Sequence, residues 1–356
     1  MFKGRLMLVV VMVLIAGAIF YFESQRVGRG GSLVGGDQGA ALCQLVPGSS
    51  GECYKEISTP DGFINAENLA LKDLVGDKVI LVDFWTYTCI NCQRTQPYLN
   101  DWYEKYKDQG LEIVGIHTPE FEFEKKYENV SAAVEKAGIK YPVVLDNDYS
   151  TWRAYKNNYW PRKYLIDMGG QIIYDHIGEG AYEETELKIK EALEERVKKM
   201  GEEGVIVGEV GMPEEVVISE GGKVGSPEIY FGAGRNEYLG NGKQGVAGVQ
   251  NFNEPKTVEL NKLYLVGSWE ITPEYAKALS PNAKIVFKYR ARNVYMVAAS
   301  LNGSVLKIFN DGKKLADVNM NGDDLYALVK NEDYGERILE IQIPESGLMA
   351  FTFTFG

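Results

Sequence analysis

The sequence predicts an α/β domain followed by an all-β domain of sandwich or jelly-roll type, on three observations. Buried-strand runs alternate with helical patterns between residues 79 and 200. A C-x-x-C pair, Cys89 and Cys92, sits where one such run gives way to a helix. After Ser226-Pro227 the pattern changes to short alternating runs separated by turn signals such as Asp311-Gly312 and Asn321-Gly322. The 356 residues exceed one usual core of about 100–200 residues, and 45% hydrophobic with 25% charged is ordinary globular composition. A net charge of -12 argues against nucleic acid, because phosphate binding needs clustered Lys and Arg.

Residues 1–23 read as a signal peptide or signal anchor: Lys3 and Arg5 precede an uncharged apolar run from Leu6 to Phe22. No clean cleavage site follows the run, which favours an anchor, although Arg26 and Arg29 on the outer flank oppose that orientation. Either reading sends the bulk of the protein out of the cytoplasm. Residues 24–55 form a Gly-rich tether that carries Cys43 and Cys53. In an oxidising compartment these two most simply form a structural disulfide, with a second redox pair as the alternative.

The α/β domain spans residues 56–200. A short helix or turn over Leu69–Leu74 precedes the strand Val79–Phe84, and the helix after Cys89 ends near Gly110, a plausible C′ residue. Leu111–Ile116 and Pro142–Leu145 are strands, with a helix inside Phe121–Gly138 between them. A short helix over Tyr149–Lys156, a hairpin across Met168-Gly169-Gly170 and an amphipathic helix over Glu183–Met200 complete it. Residues 201–225 are a Gly- and Glu-rich connector. In the all-β domain, residues 226–356, strands are expected at Thr257–Leu260, Lys262–Val266, Lys284–Tyr289, Asn293–Ala298, Val305–Phe309, Ile338–Ile343 and Ala350–Phe355.

The chemistry is concentrated at the C-x-x-C. Strand-to-helix geometry puts Cys89 at a helix N-terminus, where unpaired N–H groups and the helix dipole stabilise an anion. The thiolate is the species that attacks disulfides. Cys92, one turn on, is placed to close a disulfide with Cys89 and release the product. Zinc is the competing reading, but it needs four ligands, and His117 and His176 lie far apart while Cys43 and Cys53 have the wrong spacing. His117, at the end of a strand, is a candidate site-loop residue with Glu120; an equally good role for His117 is holding that loop by a hydrogen bond.

These residues resemble the thioredoxin superfamily. V-D-F-W followed by C-x-x-C places Asp83 where the family keeps a buried carboxylate, which implies that it accepts a proton from Cys92. Pro97 falls where the family has a helix-kinking proline. Trp160-Pro161 falls at the family's cis-proline, which implies a backbone free to pair with an extended substrate. Trp85, Trp160 and Pro161 are the substrate-binding residues that the resemblance implies.

W-T-Y-T-C-I-N-C, G-I-H-T-P-E-F-E-F-E-K, Y-P-V-V-L-D-N-D and Y-W-P-R-K-Y-L-I-D look like extracytoplasmic members of the TlpA and DipZ type. That resemblance implies a carbohydrate-binding-module-like C-terminal domain, with Tyr264, Trp269, Tyr289 and Tyr295 as candidates to stack on a glycan against a core role for aromatics in strands. Relatives of that type carry a CcdA-like multi-span region; this sequence shows none, so a separate membrane electron donor of the CcdA or DsbD type is expected. The expectation is a membrane-tethered, extracytoplasmic thiol–disulfide oxidoreductase that reduces protein disulfides with no cofactor beyond Cys89 and Cys92. A disulfide-forming oxidase or isomerase on the same fold, and a glycan-binding protein with a vestigial redoxin domain, are the alternatives.

Overall fold

The computed structural model describes residues 43, 51–213, 225–300 and 303–356. The expected anchor, most of the tether and the Val216–Ile218 run of the connector lie outside the described residues. Among those described, no helix is long and apolar enough to cross a membrane.

The first half is a six-stranded sheet of order β1-β4-β3-β2-β5-β6. Its strands are β1 (Gly62–Ile64), β2 (Val79–Trp85), β3 (Leu111–His117), β4 (Val143–Leu145), β5 (Arg162–Ile166) and β6 (Ile172–Ile177). β2, β3 and β4 run parallel, and β1, β5 and β6 pair antiparallel at the two sides. The helices are α1 (Ile90–Tyr106), α2 (Tyr127–Lys136), α3 (Ser150–Ala154) and α4 (Tyr182–Met200). Every residue of β2 is buried, as expected of a central strand covered on both faces.

Strand parity decides what lies under the active-site helix. Val79, Leu81 and Trp85 share a cluster with Leu99 and Trp102 of α1 and Ile189 and Leu193 of α4. Ile80, Val82 and Phe84 pack on the other side, with Trp152 and Tyr155. Asp83 is odd-numbered, so it falls on the α1 face. Its lateral neighbours are Gly115 on β3 and Lys163 on β5. A Cβ at Gly115 would stand 3.0 Å from the Trp85 indole nitrogen and 3.2 Å from the Tyr141 ring, so glycine is what fits there.

The helix expected inside Phe121–Gly138 is α2, preceded by a 3-10 turn, Glu122–Lys125, because Lys126 adopts extended backbone between them. The active-site helix closes as a 3-10 turn at Lys107–Gln109, with Gly110 in the left-handed region at φ 102°. Cys43 and Cys53 are joined in a disulfide with Cα atoms 5.9 Å apart, which takes both sulfurs away from any metal.

The named strands of the second half all pair antiparallel, in the order β13-β12-β15-β11-β16-β10-β9-β8. The strands are β7 (Ile229–Tyr230), β8 (Gly248–Phe252), β9 (Leu263–Ile271), β10 (Ala276–Ala278), β11 (Ala283–Ala299), β12 (Ser304–Asn310), β13 (Lys313–Lys314), β14 (Val318–Met320), β15 (Asp324–Ile343) and β16 (Met349–Phe355). A further pairing of β11 with β9 curls the sheet back on itself. Thr257–Leu260 is not a strand; only Leu260 makes an isolated bridge, to Lys288. The two runs Lys284–Tyr289 and Asn293–Ala298 are one strand, β11, with a register shift between Ala291 and Asn293. A bulge of this kind breaks the two-residue period, so the sequence reads as two strands.

The aromatics considered for a glycan are mostly core. Trp269 and Tyr289 have no exposed surface and Tyr264 is 5% exposed. Tyr295 is half-buried, with the Arg94 guanidinium 5.8 Å from its ring centre. A stacking platform built from these four is not what the fold presents.

The two halves share hydrophobic core. Val297, Ala299 and Phe351 of the β domain belong to the same cluster as Phe121 and Phe123. Phe351 meets Phe121 at 5.0 Å and Phe123 at 4.9 Å, both edge-on. Truncating a buried phenylalanine typically costs about 3–5 kcal/mol. Phe351→Ala is therefore expected to lower the unfolding free energy by about that amount in chemical denaturation, unlike the exposed rim pair Lys136–Asp324, worth about 0–1 kcal/mol.

Candidate active site

Cys89 is the N-cap of α1, and its sulfur accepts the Cys92 backbone N–H at 3.3 Å. The helix start thus presents a donor to the sulfur where the dipole also favours negative charge. Cys89 is half-buried; Cys92 is 2% exposed and faces the core. Burial, and then the adjacent Cys89 sulfur, push the Cys92 thiol well above the usual cysteine range. The two thiols are thereby differentiated: one is reachable, and the other stays protonated until a base takes its proton.

Asp83 lies on the face beneath them. Burial raises its carboxyl to about 7, partly offset by the positive charge of Lys163. One Asp83 oxygen, Oδ1, has no hydrogen-bond partner among the described residues. Lys163 is itself fully buried, its ammonium donating to the Gly178 carbonyl at 3.3 Å, and desolvation lowers its pKa. A carboxyl that titrates near neutrality is suited to receiving the Cys92 proton.

The loop before α1 is held by a residue that sequence reasoning missed. Glu124 is buried and accepts the Thr88 hydroxyl at 2.6 Å on one oxygen. Its other oxygen accepts the backbone N–H groups of Glu120 at 2.6 Å and Phe121 at 3.0 Å. Desolvation raises its carboxyl to about 7. Thr88, adjacent to Cys89, is thus tied to the loop that carries Glu120.

Trp160 and Pro161 are joined by a cis peptide, and the Trp160 indole donates to the Thr118 carbonyl at 3.0 Å. Trp160 lines a cavity of about 460 Å³ together with Cys89 and Glu120. Trp85 does not. It is 3% exposed, packs edge-on against His117 at 5.1 Å, and lines a separate cavity with Pro97 and Asn100. It is the last residue of β2 and packs in the same core cluster as Cys92. His117 is also enclosed: its ring stacks on Tyr87 at 5.8 Å and lies 3.4 Å from the Thr86 hydroxyl. Burial lowers its pKa to about 3, which leaves the ring neutral and suits the loop-holding role rather than that of a base. His176 lies on β6, the second strand of the hairpin.

The other side of the cavity comes from the β domain. Arg235 reaches Glu120 at 2.7 Å and stacks over the Tyr230 ring at 3.7 Å, while the Tyr230 hydroxyl lies 2.9 Å from Glu120. No local sequence pattern marks these residues. Lys163 did leave a signal: two residues from Leu165, it shares the core-facing parity of β5.

Comparisons with known proteins agree with this geometry. Residues 51–175 match the AhpC/TSA family, and residues 226–356 match the thioredoxin-like C-terminal domain. The chain is 34% identical over 333 residues to Protein DipZ of Mycobacterium tuberculosis, covering 91% of this chain and 46% of that protein. It therefore spans about half the length of the DipZ proteins it matches. It is 32% identical over 127 residues to the thiol-disulfide oxidoreductase ResA of Bacillus thuringiensis, covering 36% of this chain and 70% of ResA. A solution structure of a thioredoxin-like protein in the oxidized form aligns with 41% of this chain and 97% of its own, at 26% identity and a TM-score of 0.38. Its identity to ResA over most of that protein, with the AhpC/TSA match covering Cys89, Cys92 and Asp83, places the chain among the thioredoxin-like thiol–disulfide oxidoreductases, here with a thioredoxin-like C-terminal domain joined to the redoxin domain.

Proposed function

We propose that this chain is an extracytoplasmic, membrane-tethered protein-disulfide reductase. The observation that carries the reading is the pairing of a reachable Cys89 at a helix start with a buried Cys92 above Asp83. Cys89 attacks a substrate disulfide and forms a mixed disulfide; Cys92, losing its proton to Asp83, displaces the substrate thiol and closes Cys89–Cys92. The reducing direction is part of the proposal, and the potential of the couple decides it. The reducing electrons are proposed to come from a separate membrane donor, with no further cofactor. The tether rests on Lys3, Arg5 and the apolar run from Leu6 to Phe22.

The measurement is the potential of the Cys89–Cys92 couple against a glutathione or dithiothreitol buffer. A value below about -200 mV is expected, and one near about -120 mV would replace the reductase with an oxidase. A glycan remains a second reading for the β domain on one observation: a polar cavity of about 370 Å³ lined by Asn241, Asn251, Asn253, Glu254 and Tyr264.

A further inference from the structure

Half of the wall around Cys89 belongs to the β domain, and that wall holds an acid short of a counter-charge. The cavity is lined by Glu120 and Glu179 from the redoxin domain and by Glu228, Tyr230 and Arg235 from the β domain. Tyr230 Oη lies 2.9 Å from Glu120 and 2.9 Å from Glu228, yet a phenol has one proton to donate. Glu120 has a second donor, Arg235 at 2.7 Å. Glu228 forms no ion pair among the described residues. Across the cavity, Glu179 takes Arg94 at 3.2 Å on one oxygen, while its other oxygen is buried with no hydrogen-bond partner. Of the three acids at the opening, Glu120 is thus paired with Arg235 and Glu179 with Arg94, which leaves Glu228 without an ion pair among the described residues.

We infer that the β domain is the selecting wall of the redox cleft, and that the cleft takes an extended polypeptide segment whose cysteine is flanked by lysine or arginine. The inference rests on the thiol–disulfide reading above and adds the class of substrate. A cavity of about 460 Å³ bounded by two domains admits a short strand of chain rather than a folded surface. A cationic side chain beside the substrate cysteine supplies the charge that Glu228 lacks and a donor for the free Glu179 oxygen. Charges inside a walled cleft are screened less than those on open surface, and the net charge of -12 steers cations toward it from a distance. The β domain holds no cysteine; its part is to choose what reaches Cys89.

The test uses the full chain in detergent, reduced with dithiothreitol and desalted. The substrates are three peptides of equal length whose cysteine is flanked by Lys, Ala or Glu and is disulfide-bonded to 5-thio-2-nitrobenzoate. The Cys89 thiolate attacks the peptide sulfur, the old S–S bond breaks, and its electron pair leaves on the coloured 5-thio-2-nitrobenzoate dianion. Cys92 then loses its proton and displaces the peptide thiol, so the protein dithiol supplies both electrons. At low salt the Lys peptide is expected to release colour about tenfold faster than the Glu peptide, a gap that closes as salt is raised. Glu228→Lys is expected to remove or invert that ratio, and Glu228→Gln to reduce it. Equal rates for the three peptides, or a ratio that Glu228→Lys leaves unchanged, overturn the selecting wall while the redox reading stands. If no peptide releases colour and neutral hydroxyethyl disulfide is also untouched, the redox reading itself has failed, and this inference with it.

Discussion

Replacing Cys92 by serine is expected to stop turnover while leaving the first attack intact. Cys92 is 2% exposed, and its thiol is pushed up by burial and by Cys89, so it neither meets the substrate first nor ionises first. Cys89 retains the helix-start donor and the open side of the cavity. In the Cys92→Ser protein the mixed disulfide on Cys89 has no sulfur behind it to displace the substrate. Turnover should fall by more than about a thousandfold, on the scale seen when a member of a catalytic unit is removed. An adduct of protein plus one substrate should accumulate and be visible by intact-mass spectrometry. Cys89→Ser should form no adduct at all. Near-native turnover in Cys92→Ser would remove the proposed order of the two sulfurs.

Lys163→Met should move the pH dependence of the resolving step upward. Asp83 titrates near 7 in the fold, raised by burial and held down in part by Lys163. Methionine fills much of the lysine's volume while removing the charge and the donor to the Gly178 carbonyl. Without that charge the Asp83 midpoint should rise by about one unit or more. At pH 7 more of the carboxyl is then protonated and unable to accept the Cys92 proton, and resolution slows by up to about tenfold in single-turnover quench experiments. An unshifted midpoint would show that Asp83 is not the acceptor, or that Lys163 does not act on it. The same carboxyl gives a stability signature of definite sign. Unfolded aspartate titrates near about 3.9. Between that value and about 7 the folded protein holds a proton that the unfolded chain has lost, so stability falls as pH rises through the window and levels off above it. In Lys163→Met the decline should extend to higher pH.

Which parts of this site the sequence disclosed depended on the range of the signal. Cys89, Cys92 and Asp83 lie within ten residues, and the placement of Asp83 needs only the two-residue period of one strand. Trp160 and Pro161 came through resemblance rather than periodicity. Trp85 shares the parity that sends Asp83 under α1, so its indole is buried in the core and does not line the Cys89 cavity. Glu124 was passed over inside the phrase F-E-F-E-K, where nothing local says that its carboxyl turns inward to collect backbone donors. The β-domain wall was beyond reach: Arg235 and Glu120 are 115 residues apart, and nothing in either neighbourhood announces the other. Strand counting in the second half failed where a bulge changed parity, at Ala291–Asn293.

The aromatic seam of Phe121, Phe123 and Phe351 bears on how such a protein can be taken apart. Severed from its partner, either half would turn greasy rings toward water, the kind of patch that promotes self-association. Recombination that moved the redoxin half alone into a new gene would therefore have to repaint that surface with polar residues. The pairing of the two halves is in that sense a physical dependency, and their joint inheritance is the outcome it favours.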